Sequence, residues 1–569
     1  MFKANNQPAL ITFEAELSEK QRKSLQNTRE KWFYKLVFSN INEHDFKPLY
    51  STAKSRPNVP VNILVSALIL KELRGISFNE LLESMMFDLR MKAALGLENI
   101  DEIPFSMATI FNFQNRLLAY EQQTGINLIE KVFDGLSATQ IKQLSIKADI
   151  QRTDSTLVSS NIKKYSRIQL LIEILLRILR ILDDQDKELF SEKLADYTKD
   201  GSQKYVYKLK AKDMPHELNK IGNLYQLIWN EINKSGKYSG TKEYVVFERA
   251  YKEHFIVVEN KIETRANKDL HSGMLQSPDD LDATYRNKRG EESKGFTVNA
   301  TETANPENPV QLLTDVAVTA NNVDDSKILN TRLDGIIEKT PELKEIHTDG
   351  GYGSKDNDKK FEKAEITQIT TAVRGREGKV DLTIKQLTDS PQTYTVECPY
   401  QKATSTPTKQ RNKVRFDLQT CEACPLKNTC PIYKNKRRFY FKHEDYLQNK
   451  RNHKIKNIPV ERRKIRPNVE ATMKEIKCKT KAGKLKVRGL FQTKLFAFKV
   501  GIAINFGRIY RYFTRPDGIN APNGENIVTN LLSEVNVFVS TAQKLFEMLI
   551  ISIFAYASKL TSNTATYSS

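Results

Sequence analysis

The apolar residues of the N-terminal quarter fall into short helical blocks. Val61 to Leu73 is mostly apolar, opened by Pro60 and stopped at Gly75, the pattern of a buried helix between a proline start and a glycine end. Ser77-Phe78-Asn79-Glu80 places a serine and a glutamate where each can cap the other's backbone N–H, and predicts a helix over Asn79–Met86. Gly96 and Pro104 interrupt the pattern, and Ser106 then heads a helix over Met107–Tyr120. Its expected buried stripe is Ile110, Phe111, Leu117 and Leu118, with Thr109, Asn112, Asn115 and Arg116 left polar.

The period changes after residue 140. Ile146, Ala148 and Ile150 alternate as in a half-buried strand, which is expected to end at Asp154. Residues 160 to 280 are charged and helix-like, with polar breaks at Lys199–Gln203 and Lys234–Thr241. Strand character resumes from Gly295 to Thr301, turns at Asn305–Pro309 and returns through Leu312–Val318, a hairpin. Asp324 or Asp325 can cap a helix with Ile328, Leu329, Leu333, Ile336 and Ile337 on one face. A short strand then closes at Asp349 and breaks into Gly350-Gly351-Tyr352-Gly353, followed by a helix around Asp356–Lys363 and a strand at Ile366–Val373.

That order describes an α/β fold, a mixed sheet flanked by helices of the ribonuclease-H type. A crossover helix makes the fourth strand parallel to the first, so Asp154 and Asp349 become neighbours across 195 residues. The expected organisation is an all-α domain over 1–140 and a core from 141–159 and 280–374. A helical insertion after the first strand covers 160–279, and a cysteine-containing insert covers 375–440. A basic part of the core at 441–515 and a helical tail at 516–569 complete the chain.

Charge narrows the partner. The formal net charge is +20, and residues 401–515 alone hold 31 Lys and Arg against 7 Asp and Glu, so the remainder is slightly acidic. One concentrated basic segment reads as a phosphate-backbone footprint, with a solvated face or an anionic lipid surface as the blander readings. The polar face of the Met107–Tyr120 helix, with Asn112 and Arg116, then suits a helix-turn-helix reader of DNA, although a plain helical bundle shares the pattern. No signal-peptide pattern opens the chain. The longest apolar stretches, Val535–Ala557 and Ile168–Leu182, are interrupted by charges, so a soluble cytoplasmic, nucleoid-associated protein with no membrane partner is expected.

Cys398, Cys421, Cys424 and Cys430 form C-x22-C-x2-C-x5-C, and Cys478 stands apart. Four thiols in a compact lysine-rich segment point to one structural Zn²⁺, with free thiols or a redox pair as alternatives.

The candidate chemistry is a carboxylate set. Asp154, Asp349 and Glu470, two at strand ends and one on a later helix, can hold two divalent ions about 4 Å apart. On a helix, Lys474, Lys477 and Lys481 fall within roughly 40° of Glu470, whereas Glu475 falls about 140° away. Metal ligand and phosphate contacts thus share one face. Taken singly, each aspartate reads as a turn residue and the glutamate as a surface ion-pair partner; Asp149, Asp315, Asp324 and Asp325 are not assigned, and His347 reads as a packing residue. Tyr352 and Arg152 are placed as supports.

The chain resembles bacterial insertion-sequence transposases of the DDE type. The similarity is carried by Arg74-Gly75-Ile76-Ser77, Phe87-Asp88-Leu89-Arg90, Ala94-Leu95-Gly96, the Thr109–Leu117 helix, Arg152-Thr153-Asp154-Ser155, the stretch from Asp315 to Ser326, Asp349-Gly350-Gly351-Tyr352 and the cysteine cluster. A large group of that family carries Tyr-x2-Arg-x3-Glu-x6-Lys near its end; Arg466, Glu470 and Lys477 match, while Arg463 stands at the tyrosine position. The resemblance implies Asp154, Asp349 and Glu470 as the triad binding Mg²⁺ or Mn²⁺, and Arg466 and Lys477 as basic residues near DNA. Arg463, Lys474, Lys481, Arg437 and Arg438 complete the expected phosphate contacts. The expected partners are double-stranded DNA, as element terminal repeats and as target, and a second copy of the chain when two ends are paired. Two other readings remain open at this point: a non-catalytic DNA-binding protein and a nuclease of the same fold without strand transfer.

Overall fold

A computed structural model describes residues 1–5, 12–259, 261–288, 290–370, 380–387, 390–408 and 410–514. The expected tail at 516–569 and the last residues of the strand at 366–373 lie outside the described residues.

The first helix of the N-terminal region to be buried on all sides is α1 (Val61–Arg74), closed by Gly75 at φ 72°. It is followed by α2 (Phe78–Phe87), where Ser77 and Glu80 cap each other. Next come α3 (Met107–Thr124) and α4 (Leu128–Gln143). On α3 the inward residues are Ile110, Phe113, Gln114 and Leu117, a clean i, i+3, i+4, i+7 stripe. Phe111 does not belong to it: one residue on from Ile110, it is turned about 100° outward and packs edge-on against Phe78 at 5.6 Å.

The central strand is β1 (Ile150–Ser159). The alternation of Ile146 and Ala148 lies before it, and the strand runs on past Asp154, because its antiparallel ladder continues from Asp154 opposite Ala300 to Ser159 opposite Gly295. At Gly295 a Cβ would stand 2.3 Å from the Val158 carbonyl oxygen, so only glycine fits this approach.

After β1 the chain leaves the sheet for α5 (Arg167–Ile181), α6 (Met214–Ser235) and α7 (Lys242–His254). These helices close a core of their own around Ile172, Leu175, Tyr225 and Phe247. The chain returns through β2 (Thr284–Lys288), β3 (Glu291–Thr303) and β4 (Leu313–Ala320), with β2 and β4 both antiparallel to β3. Helix α8 (Asp325–Lys339) crosses over to β5 (Glu345–Thr348), which is parallel to β1. Helix α9 (Lys355–Lys363) leads to β6 (Thr367–Thr370), parallel to β5. The result is a mixed sheet with β1 between the antiparallel β3 and the parallel β5.

Two small three-stranded sheets, built from 383–404 and 406–441, follow and carry the cysteines. Then come α10 (His443–Lys456), α11 (Val469–Lys477) and α12 (Leu490–Thr514). Helix α12 is buried over most of its length between the N-terminal helices and β4. One continuous core therefore includes Leu64, Phe133, Val298, Val316, Val469 and Phe506, and the N-terminal helices share it with the sheet. Among the described residues no helix is long and apolar enough to cross a membrane.

Candidate active site

The parallel ladder between β1 and β5 ends at Arg152 opposite His347, two residues short of both aspartates. Beyond it β5 stops, and Asp349 caps the Gly350–Tyr352 turn by accepting from the Gly351 N–H at 2.8 Å. Asp154 is thus within a strand, not at its end, but lies where its parallel neighbour has run out. The opening at the carboxyl end of paired parallel strands is where α/β sheets present ligand sites. Beneath the opening, the Asn299 amide donates to the Asp154 backbone oxygen at 3.0 Å and to the Tyr352 hydroxyl at 2.8 Å. Tyr352 is buried and so fastens the Asp349 turn to β3.

Glu470 reaches the same opening from α11. Val469, Thr472, Met473 and Ile476 form the inward face of that helix, leaving Glu470, Lys474 and Lys477 outward. The helix is fixed at its base by Glu302, fully buried on β3. Glu302 accepts from Thr472 at 2.7 Å, pairs with Arg152 at 2.6 Å, and pairs with Arg508 of α12 at 2.6 Å. Burial pushes the Glu302 carboxyl up, but Arg508 and Arg152 outweigh it and hold the group below the usual carboxylate range. Arg152 also donates to the Ile465 carbonyl at 3.0 Å, just ahead of the turn that carries Arg466. Glu475, on the other side of α11, pairs with Arg508 and Arg511.

One guanidinium joins the three expected carboxylates. Arg466 contacts Asp154 at 2.8 Å, Glu470 at 2.9 Å and Asp349 at 4.0 Å. The side chains differ in exposure, with Asp154 at 12%, Asp349 at 36% and Glu470 at 67%. Burial raises the Asp154 carboxyl above its ordinary range; Arg466 and the Ser155 N–H oppose this, while Asp349 and Asp325 add to it.

Asp325 is a fourth carboxylate at this place, and one that sequence reasoning left unassigned. It begins α8 and accepts from the Ser155 hydroxyl at 2.6 Å. Its only signal in the sequence is a position at a helix start, which capping explains equally well. Glu302 was equally invisible, since a strand glutamate carries no mark of its two arginine partners.

The donor set fits hard divalent cations. Asp154, Asp349 and Glu470 supply carboxylate oxygens only, the chemistry of Mg²⁺ and Mn²⁺ sites, and they already converge on one cationic group. With the Arg466 side chain between them, no three such side chains among the described residues are gathered closely enough to enclose an ion.

The expected phosphate contacts are spread more widely. Lys474, Lys477 and Lys481 are exposed, but α11 ends at Lys477, so the helical angle expected for Lys481 does not apply. Ala482 at φ 52° and Gly483 at φ 80° turn the chain there, and Lys481 closes a tight loop with Lys484. The side chain of Arg463 lies outside the described residues. Arg437 and Arg438 are half-buried at a turn of the insert; on α3, Asn112 is exposed and Arg116 rests on the Tyr50 ring at 5.1 Å. His347 is buried and hydrogen-bonded to Glu345 at 2.5 Å.

The four cysteines of the insert come together. Cys398 ends the 390–398 strand, Cys421 lies in the short helix Leu418–Glu422, Cys424 follows it, and Cys430 precedes the helix Pro431–Lys434. All four thiols are free and line one cavity of about 30 Å³.

Two family models match the chain: a transposase DDE domain over residues 390–510 and a transposase domain over residues 18–116. The first range contains Glu470 and the cysteines; Asp154 and Asp349 fall outside both. No curated protein and no solved structure matches. Both models describe transposases, and over these two ranges the chain is similar to them.

Proposed function

We propose that the chain is an insertion-sequence transposase of the DDE type, which binds the ends of the element, cleaves the DNA there and joins the freed 3′ ends to target DNA, with Asp154, Asp349 and Glu470 as its metal ligands. The observation that carries this reading is the convergence of the three carboxylates on one cation, the Arg466 guanidinium. The strand order, with β1 between an antiparallel hairpin and two parallel strands, supports a ribonuclease-H-like core.

Asp154, Asp349 and Glu470 would hold two Mg²⁺ or Mn²⁺ ions, which supply Lewis-acid stabilisation of the charge that develops on a phosphodiester in displacement. The chain's own contribution is placement. Asp154 is immobilised by the ladder of β1 with β3, Asp349 by the Tyr352 anchor, and Glu470 by the Thr472–Glu302 contact beneath its helix. Arg466 balances the carboxylate charge in the free protein and lies close enough to turn to a backbone phosphate. Lys474 and Lys477 neutralise phosphates beside Glu470. In the first step water attacks phosphorus and the bond to the 3′ oxygen breaks, leaving a 3′-hydroxyl. That hydroxyl then attacks a target phosphodiester in line, displacing the target's own 3′ oxygen, with no bond to the protein formed. Two ends require two active sites, hence a homodimer on DNA.

Incubation of labelled element ends with the protein and Mg²⁺, followed by a joining assay with a pre-cut end, tests this. Cleavage and joining support the proposal; cleavage with no joining of a pre-cut end would make the protein a nuclease.

A further inference from the structure

The cysteine insert has a small core of its own, in which Tyr394, Val396, Val414, Phe416 and Phe441 are buried. A unit of this size buries little apolar surface for each residue it must order, and such units commonly depend on a covalent or metal staple. The four thiols sit where a staple would act. Cys398 belongs to the sheet built from 383–404, while Cys421, Cys424 and Cys430 lie in the connection between two strands of the other sheet, 412–415 and 438–441. A single ion bound by all four would therefore clamp both sheets.

We infer that Cys398, Cys421, Cys424 and Cys430 form a structural zinc site that holds the insert in shape. The cavity they line is closed by Phe416, Leu426 and Ile432, and its volume of about 30 Å³ suits one ion without room for substrate. The cysteines are four in number and sulfur is their only donor, the composition of closed tetrahedral zinc sites. Gln401 is arranged for a charged sulfur. Its side-chain oxygen accepts from the Asp417 N–H at 2.8 Å, which turns its amide N–H toward the Cys421 sulfur at 3.1 Å. As the side chains stand, the sulfurs do not form a closed shell, and closure requires side-chain rotation within the cavity. Binding one Zn²⁺ converts four thiols to thiolates and releases four protons, with no redox change. The resulting charge of about −2 lies in a segment that includes Lys427, Lys434, Lys436, Arg437 and Arg438.

The site also bears on the basic turn that follows it. Lys436 and Arg437 both have positive φ, 52° and 61°, a conformation that side chains other than glycine adopt only where surrounding structure enforces it. The enforcing contacts start at the cysteines: the short helix begins after Cys430, and the Arg437 N–H returns to the Ile432 carbonyl at 2.9 Å. A bound ion would fix Cys430 and so fix how Arg437 and Arg438 are displayed.

The test is the metal content of the purified full chain. About one zinc per chain is expected, together with tetrahedral thiolate-to-cobalt absorption when Co²⁺ replaces it in the wild type, which needs no variant to fold. The double variant Cys421→Ser/Cys424→Ser should lose the zinc, and Cys478→Ser should keep it. Wild-type chain without zinc, with its insert thiols freely reactive, overturns the inference. So does a Cys421–Cys424 disulfide in the purified protein, or zinc retained by the double variant. None of these readouts depends on DNA cleavage, so the zinc site and the transposition chemistry stand or fall separately.

Discussion

Arg466 and Asp154, 312 residues apart in the chain, are paired at 2.8 Å. The same guanidinium reaches Glu470 at 2.9 Å, so the arginine of the C-terminal segment closes the site that the β1 aspartate opens. A group expected beside DNA phosphate is, in the free protein, the counter-charge of the carboxylates. Divalent ions held by the proposed triad would compete with it.

Competition follows from that contact. Arg466→Ala should bind Mn²⁺ in the absence of DNA about tenfold more tightly than the wild type, from the ~1.5 kcal/mol of one charge-assisted hydrogen bond. Cleavage should fall if Arg466 also holds phosphate. Manganese titration followed by electron paramagnetic resonance reads the first effect; unchanged affinity would show that Arg466 does not compete.

The Glu302 hub should carry structural weight. Glu302→Ala leaves the buried Arg152 without its carboxylate and Arg508 with Glu475 alone, and the expected loss is ~3–5 kcal/mol of stability in chemical denaturation. Thr472→Val removes only one of the bonds to Glu302 and should cost about 1 kcal/mol, while lowering cleavage by loosening the helix that carries Glu470. A Glu302→Ala protein as stable as wild type would remove the hub from this account.

His254 gives a pH signature in the helical insertion. Burial, with Arg167 and Arg265 beside it, lowers its pKa from 6.5 to about 3. The Arg167 Nε–H donates to Nδ1 at 3.2 Å, which requires the neutral ring. A lowered folded-state value means that the unfolded chain binds a proton first as pH falls. The neutral ring's contribution is therefore complete above pH 6.5 and is lost progressively toward about pH 3. Thermal melts of the wild type and His254→Gln should differ in their pH dependence across that window. A difference independent of pH contradicts the assignment.

Local signals in the sequence translated well where the physics is local. The reciprocal Ser77–Glu80 cap and the glycine stop of α1 depend on residues a few positions apart, and both are found as read. Asp154 was harder, because whether a strand ends depends on its partners: the alternation stops near Ile150, yet pairing with β3 carries the strand to Ser159. Lys481 shows the limit of extending a helical angle beyond the last helical residue. Phe111 shows that an apolar residue beside a buried stripe can turn outward to a neighbouring helix: Ile110 and Leu117 are buried as expected, but Phe113 and Gln114 complete the stripe. Asp325 and Glu302 acquire their significance only from contacts at long range, Ser155 for one and Arg508 for the other.

The triad itself is best tested through its most exposed member. Cleavage of labelled DNA carrying the element's ends should be measured with Mg²⁺ for the wild type and for Glu470→Gln, and then for Asp154→Asn and Asp349→Asn. The expected result is cutting at the ends by the wild type alone, each variant losing activity by about 1,000-fold or more while still binding the ends. Retained cutting by a purified variant would remove that residue from the site, and binding without cutting by the wild type would contradict the catalytic account as a whole.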